Sequence, residues 1–227
     1  MAPFGVFALI TVVMADKGLG ILQSLGLLTV ALYGACILHI IITYGGIIKV
    51  LLRLPLKPFI RGVSDAQAVA YSTSSSGATL PVTITCVHEN LGIDKSVASS
   101  VLPLGATINM DGTAIYIGLV ALFGAQALDL DVSIGQYVLV AVMATLVSIG
   151  AAGIPSAGLL LSAAALTQVG VPEEKAILII GFIYPFDRLL DMMRTLTNVT
   201  GDAAVATAVG KWEGSMDEEV YLAEDRY

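Results

Sequence analysis

The stretch from Asp187 to Asp202, DRLLDMMRTLTNVTGD, sets five charged residues among otherwise apolar sequence: Asp187, Arg188, Asp191, Arg194 and Asp202. Acids and bases at this spacing can pair with each other, or hold an ammonium group, a carboxylate or a cation. At about 100° per residue, with Asp191 at 0°, Asp202 falls near ~20°, Asn198 near ~340°, Asp187 near ~320° and Arg194 near ~300°. Thr195 and Arg188 follow near ~40° and ~60°, so all seven groups share an arc of roughly 120°. Leu189, Met193, Leu196 and Val199 take the other side. Exposed to lipid, each charge costs about 2.5–3.5 kcal/mol and five cost on the order of 12–17 kcal/mol. The face must therefore meet protein, water, ions or a ligand. Arg188 with Asp191, and Asp191 with Arg194, are i,i+3 pairs. Three acids against two bases leave one acid to hold a cation, unless the pairs only lock helices together.

Three more polar groups interrupt apolar runs. The string Tyr71-Ser-Thr-Ser-Ser-Ser-Gly-Ala-Thr-Leu-Pro81 cannot continue as a lipid-facing helix. About ten residues flank it on each side, roughly 15 Å per arm, half of a ~30 Å hydrocarbon core. That predicts a hairpin entering from one face with its serine tip at mid-depth; a Ser-rich surface loop is the alternative. Thr107-Ile-Asn-Met-Asp-Gly-Thr113 interrupts a span, with Asp111 alone among uncharged neighbours and Gly105 and Gly112 weakening the helix. Carbonyls freed beside a carboxylate suit a small cation; in the alternative, Asn109 and Asp111 only cap helix ends. Ser148-Ile-Gly-Ala-Ala-Gly-Ile-Pro-Ser-Ala-Gly158 splits the uncharged run 132–172 into arms of about 24 and 21 Å, short of a crossing. A second hairpin, entering from the opposite face, is expected; two full spans with a tight turn remain the alternative.

These features need elements to position them. Of 227 residues, 56% are hydrophobic and 13% charged, with mean hydropathy +0.87. A soluble domain carries about 25% charged residues. No Asp, Glu, Lys or Arg occurs between Lys17 and Lys49, or between Asp131 and Glu173. Such runs exceed the ~20 residues that span a bilayer, which argues against a soluble helical core. Lys49, Arg53, Lys57 and Arg61 mark the cytoplasmic side. The net charge of −7 lies largely in the tail 212–227, expected to be solvated, and a basic nucleic-acid footprint is absent. Cys36 and Cys86 lack CxxC spacing and are expected to pack.

The expected order is a partial transmembrane helix at 1–20 and a transport unit at 21–211. That unit holds a transmembrane helix at 21–50, a re-entrant hairpin at 62–90, a broken helix at 96–128, a second hairpin at 132–172 and a charged helix at 174–211. An acidic tail, 212–227, follows. The fold class is an all-α membrane protein with two re-entrant helical hairpins in an inverted repeat. Paired interrupted segments point to a transporter site at the midplane.

The strings SSSGATLPVT (74–83), PLGATINMDGTA (103–114), GIPSAG (153–158) and DMMRTLTNVTGD (191–202) resemble those of the dicarboxylate/amino acid:cation symporters, the glutamate/aspartate transporter family. An archaeal member is itself a standard example of inverted repeats. The resemblance runs in order along nearly the whole chain. It implies a glutamate-transporter-like transport domain whose hairpin tips, Thr73, Ser74, Ser75 and Ser76 and the backbone of Ile154, Pro155 and Gly158, hold the substrate α-carboxylate. It assigns Arg194 to the side-chain carboxylate and Asp191 and Thr195 to the amino group, with Thr113 nearby and Asn198 hydrogen-bonded. Gly105, Asn109 and Asp202 with the Asn198 carbonyl form one implied sodium site. Thr107 with the Ser148 and Ile149 carbonyls forms another, and Asp111 with Asn109 part of a third.

The resemblance further implies symport of aspartate or glutamate with sodium or protons, elevator-type alternating access, no enzymatic activity, no cofactor beyond the coupling ions, a multi-pass plasma-membrane location and a homotrimer. A C4-dicarboxylate or neutral amino acid carrier is the alternative within the family. An intramembrane serine hydrolase using Ser74–Ser76 has no motif around His39 or His88 to supply its base; a channel or purely structural membrane protein is the third reading. Ser74 and Met192 stand where several relatives have arginine, and Arg188 is expected to compensate. Ala151 and Ser156 replace a usual threonine and glycine. Family members are roughly twice as long, so N-terminal scaffold helices are expected to be missing, and this chain alone is expected to bind poorly and not to transport.

Overall fold

The computed structural model describes Thr11 and residues 20–223, and these are helical, with an isolated bridge between Ile93 and Met216 as the one β contact among them. The expected helix at 1–20 lies almost wholly outside the described residues. Helix α1, Gly20–His39, continues through π-turns at Ile40–Tyr44 and Ile47–Leu51. It buries Leu25, Leu28, Leu32 and Cys36 and exposes Leu27, Val30, Leu38 and Ile41, as a helix between protein and lipid would. Among the described residues, Gln23–Leu51 and Lys95–Ala127 are long and apolar enough to cross a bilayer, with mean hydropathy 2.3 and 1.4.

A short helix α2, Leu56–Gly62, leads into α3, Ser64–Thr73. Ser74 takes a left-handed conformation, φ 54°, and stops α3. Ser75 is extended and caps α4, Ser76–Thr85, by accepting the Ala78 amide at 3.1 Å. The helices pack against each other across this two-residue turn. Helix α5, Lys95–Ile108, is capped by Asp94, whose carboxyl is held below its usual range by the Ser96 hydroxyl and amide. It ends at Asn109–Met110, and α6, Asp111–Ala127, begins at once. Helices α7, Ile134–Ser148, and α8, Ala157–Gln168, form a second packed pair.

The expected single charged helix is divided. Helix α9, Glu173–Ile183, gives way to a 3₁₀ turn, Tyr184–Phe186, before α10, Asp187–Trp212. Pro185 has no amide hydrogen to continue the α-helical ladder. The break makes Asp187 the first residue of α10, where the exposed amides of a helix start favour an anion. Helix α10 is the hub: it packs on α1, α3, α4, α5 and α6. It is also buried on nearly all sides, so the apolar face expected opposite its charges is only partly lipid-like, through Leu189 and Val205. Ala203, Ala204, Ala206 and Ala208 allow this enclosure, as small residues do between membrane helices.

The acidic tail is not simply solvated. Asp94 and Asp217 amides donate to the Ser215 and Gly92 carbonyls at 2.9 and 2.8 Å. A last helix, α11, Glu218–Leu222, buries Tyr221, whose hydroxyl donates to the Pro55 carbonyl at 2.8 Å. One aromatic ring in an acidic run supplies the apolar area that the composition of the tail conceals. Cys36 and Cys86 are free and buried, as expected.

Candidate functional site

Helix α10 brings its polar groups to a junction between the two helix-pair tips and the α5–α6 break. At its centre Asp191 and Arg194 are each 2% exposed. Arg194 Nε donates to Asp191 Oδ1 at 2.5 Å, and a terminal guanidinium nitrogen contacts the same oxygen. The other terminal nitrogen donates to Thr113 Oγ1 at 2.8 Å. Asp191 Oδ2 accepts the Ser156 amide at 2.9 Å. Both carboxylate oxygens are thus engaged, one by the helix itself and one by the second tip. Ser156 reaches it in a left-handed conformation, φ 62°.

One turn further along α10, Asn198 fastens the break. Its amide nitrogen donates to Thr113 Oγ1 at 3.0 Å and contacts Met110 Sδ at 3.1 Å. Its oxygen accepts the Gly112 amide at 2.8 Å. Gly112 is required here, because a Cβ would collide with the Arg194 carbonyl. Thr195 is buried beside these groups.

The tips touch each other. Ser75 Oγ donates to the Gly153 carbonyl at 2.6 Å, and the Gly77 amide donates to it at 3.2 Å. Ser74 Oγ is buried without a partner, and Ser76 is buried. Thr73 Oγ1 donates to the Val69 carbonyl at 2.8 Å and lies 3.3 Å from Thr79 Oγ1. Ile154 and Pro155 are exposed, whereas Gly158 packs against Thr113, Tyr116 and Arg194.

Asp202, 3% exposed, accepts the Asn109 amide at 3.1 Å. A Cβ on residue 105 would come within 2.6 Å of Asp202 Oδ1, so only glycine leaves this carboxylate its place. Carboxylate and amide oxygens are hard donors, which suit an alkali or alkaline-earth cation better than a transition metal. Asp111 is held from the end of α1 and the π-turn after it: His39 Nε2 lies 3.0 Å and Tyr44 Oη 2.9 Å from its Oδ2. The π-turn Ile40–Tyr44 follows His39 directly and ends with Tyr44; such bulges recur at functional sites. Thr107 and Ser148 are not joined to each other by a hydrogen bond. Their hydroxyls donate within their own helices, to the Leu104 and Thr145 carbonyls, and Ile149 is exposed.

Sequence reasoning overlooked four contributors. Tyr116 donates to Asp187 Oδ1 at 2.6 Å, and Gln67 to Thr200 Oγ1 at 3.0 Å. Tyr44 and His39 both reach Asp111. These partners come from elements 67 to 133 residues away, and only a polar residue inside an apolar span hinted at any of them. Arg188 does not pair with Asp191; it donates to the Ser72 carbonyl at the end of α3, at 2.7 Å. A cavity of about 970 Å³ lies between α1, α6 and α9, lined by Leu28, Phe123, Ile179 and Phe182. It is apolar and apart from the α10 cluster, so we place the site at the cluster.

The sequence pattern of the sodium:dicarboxylate symporter family matches residues 1–212. The chain belongs to this family. Among its relatives are excitatory amino acid transporter 1 of Mus musculus, 43% identical over 211 residues, and excitatory amino acid transporter 4 of Rattus norvegicus, 40% identical over 214. An excitatory amino acid transporter of Caenorhabditis elegans is 42% identical over 210 residues. Each alignment covers 92% of this chain but 38%, 37% and 41% of the respective relative. The chain thus spans about two-fifths of the length of these relatives. The matching family is one of symporters and these relatives are transporters, so nothing in these matches supports the serine-hydrolase reading.

Proposed function

We propose that the chain forms the substrate-binding part of a secondary active symporter of acidic amino acids, aspartate or glutamate, coupled to sodium or protons. The observation that carries this is the buried Asp191–Arg194 pair, enclosed by Thr113, Asn198 and the Ser156 amide. Removing one partner of such a pair strands a charge, at a cost of about 3–5 kcal/mol. An acidic amino acid strands neither. Its ammonium takes Asp191 while its side-chain carboxylate takes the guanidinium fork, ion pair for ion pair. A neutral amino acid would leave Arg194 bare, and a C4-dicarboxylate would leave Asp191 bare. The α-carboxylate goes to the tips, against Thr73, Ser74, Ser75, Ser76 and the backbone of Ile154, Pro155 and Gly158, near the amides at the start of α4. Thr195 joins Asp191 at the amino group.

The cations have three assigned places: Gly105, Asn109, Asp202 and the Asn198 carbonyl; Thr107 with Ser148 and Ile149; and Asp111 with Asn109. The helix pairs α3–α4 and α7–α8 are read as re-entrant hairpins of an inverted repeat within a transport domain at 21–211. The second hairpin is the outer gate, and the domain moves as an elevator against a scaffold in a homotrimer at the plasma membrane. The tail lies on the cytoplasmic side, since Tyr221 fastens it to the basic connection at Pro55.

The test is calorimetric titration of the whole protein with L-aspartate across sodium concentration and pH. Affinity that rises with sodium, or with acidity for proton coupling, is expected. Aspartate affinity indifferent to both would sink the reading. The family's name keeps a dicarboxylate carrier as the second reading; competition of labelled aspartate uptake by succinate and by serine separates the two.

A further inference from the structure

Helix α10 carries a third buried carboxylate, which the reading above leaves without a task. Asp187 is 2% exposed. Its Oδ1 accepts the Tyr116 hydroxyl at 2.6 Å. Its Oδ2 has no partner, and among the described buried side chains only Ser74 Oγ shares that condition. A buried carboxylate oxygen without a donor is expensive, and in a native structure it calls for an occupant. Asp187 stands one helical turn before Asp191 and within electrostatic reach of it. The Tyr116 ring that holds it packs under Gly158, and Gly158 also abuts Arg194. Asp187, Asp191 and Arg194 therefore form one group with two acids and one base. Asp191 has spent both oxygens, on Arg194 and on Ser156. Asp187 Oδ2 is the carboxylate oxygen of the trio that has no hydrogen-bond partner.

An arriving ammonium group has three hydrogens to donate. Arg194 can release one oxygen of Asp191 by turning to a substrate carboxylate. Asp187 Oδ2 needs no release. We propose that Asp187 is a specificity-determining residue: its free oxygen is a second acceptor for the substrate's ammonium group, beside Asp191, and sets the preference for amino acids over diacids that lack an amine. This rests on the acidic amino acid reading given above.

The test compares L-aspartate with succinate, measured by calorimetry and displacement on the whole protein in saturating sodium. Asp187→Asn keeps an oxygen for Tyr116 and removes the charge at the open position. Aspartate affinity is expected to fall tenfold or more, while succinate binds equally well or tighter because an anion has gone. The ratio of the two dissociation constants then collapses by at least tenfold. Equal weakening of both ligands, or no change in the ratio, overturns the proposal. Tyr116→Phe removes the hydroxyl but leaves the carboxylate, and is expected to hold the ratio within about twofold. A collapse there as deep as in Asp187→Asn would make Asp187 only a support for Tyr116 and also overturns it. Should the amide variant not fold, Asp187→Ser, with room for a water, carries the same expectation. Failure of the unsubstituted protein to bind aspartate sinks the functional reading and this proposal together; binding with an unmoved ratio sinks this proposal alone.

Discussion

The two helix-pair tips do the same geometric work with opposite construction. The first, between α3 and α4, turns in two residues and closes on itself. Ser75 caps α4, Thr73 bonds back to α3, and Ser74, Ser75 and Ser76 are all buried. The second, between α7 and α8, spends residues 149–156 on its turn and leaves Ile154 58% exposed. Two of its attachments are borrowed: the Gly153 carbonyl accepts from Ser75 and Gly77, and the Ser156 amide rests on Asp191. A tip held by its own hydroxyls stays in place when the site changes. A tip held by groups that a ligand also wants changes with the ligand. That difference suits the first to be a wall and the second to be the proposed gate.

Breaking the ion pair should separate the tips most strongly. Arg194→Ala is expected to weaken acidic-substrate binding by at least about 100-fold, since the remaining Asp191 is stranded in a buried site. Sodium binding should survive, because Asp202 and Asp111 do not touch the guanidinium. Unchanged aspartate affinity in calorimetry would remove Arg194 from the site. Asp191→Asn should in addition speed hydrogen exchange at 150–156 and leave 74–78 as protected as before. Equal loosening of both tips would show that the first is no more self-contained than the second.

Next in size is Gly105→Ala. The added methyl would press on Asp202 Oδ1, 2.6 Å away. We expect sodium affinity to fall about tenfold, roughly 1.4 kcal/mol, with exchange at both tips unchanged when sodium is saturating. Sodium affinity equal to that of the unsubstituted protein would place the cation elsewhere than beside Asp202.

Much of this division was legible in sequence. The serine string announced a break, although Pro81 itself sits inside α4, and the Gly-rich run to Gly158 announced another. The helical wheel of α10 put Asp191, Arg194, Asn198 and Asp202 on one arc, and all four are buried. What stayed hidden has two physical sources. Long-range partners such as Tyr116 for Asp187 and Tyr44 for Asp111 depend on how helices are placed, and a lone tyrosine in an apolar helix carries no mark of it. Enclosure is the other. A wheel assigns an apolar face to Leu189, Met193 and Leu196, but a hub helix packed by five neighbours has little lipid face left. The same reasoning explains why Arg188 was mispaired. At i,i+3 it is as close to Asp191 as Arg194 is, yet the end of α3 offers it the Ser72 carbonyl, and a helix C-terminus favours a cation.

A smaller effect tests whether the first tip is truly autonomous. Ser75→Ala removes the cap on the Ala78 amide and the bond to Gly153 at once. Loss of an N-cap costs about 1 kcal/mol, so exchange should quicken near 76–79. The second tip loses one of its borrowed attachments and should quicken as well. Quickening confined to 150–156 would mean that the cap is dispensable and that the first tip is fixed by packing alone.

The smallest expected effect lies far from both tips and bounds what either can be blamed for. The Tyr221 hydroxyl helps bind the tail to the connection between α1 and α2 by donating to the Pro55 carbonyl. Tyr221→Phe keeps the buried ring and removes the hydroxyl, so thermal stability should drop by about 0.5–1.5 kcal/mol. Aspartate affinity and exchange at both tips should stay as they were, because the tail touches the α4–α5 connection near Gly92 rather than the tip at Ser74. A loss of substrate affinity in this variant would couple the tail to the first tip through α4. The wall would then be adjustable from the cytoplasmic end, and the contrast between a fixed tip and a movable one would no longer hold.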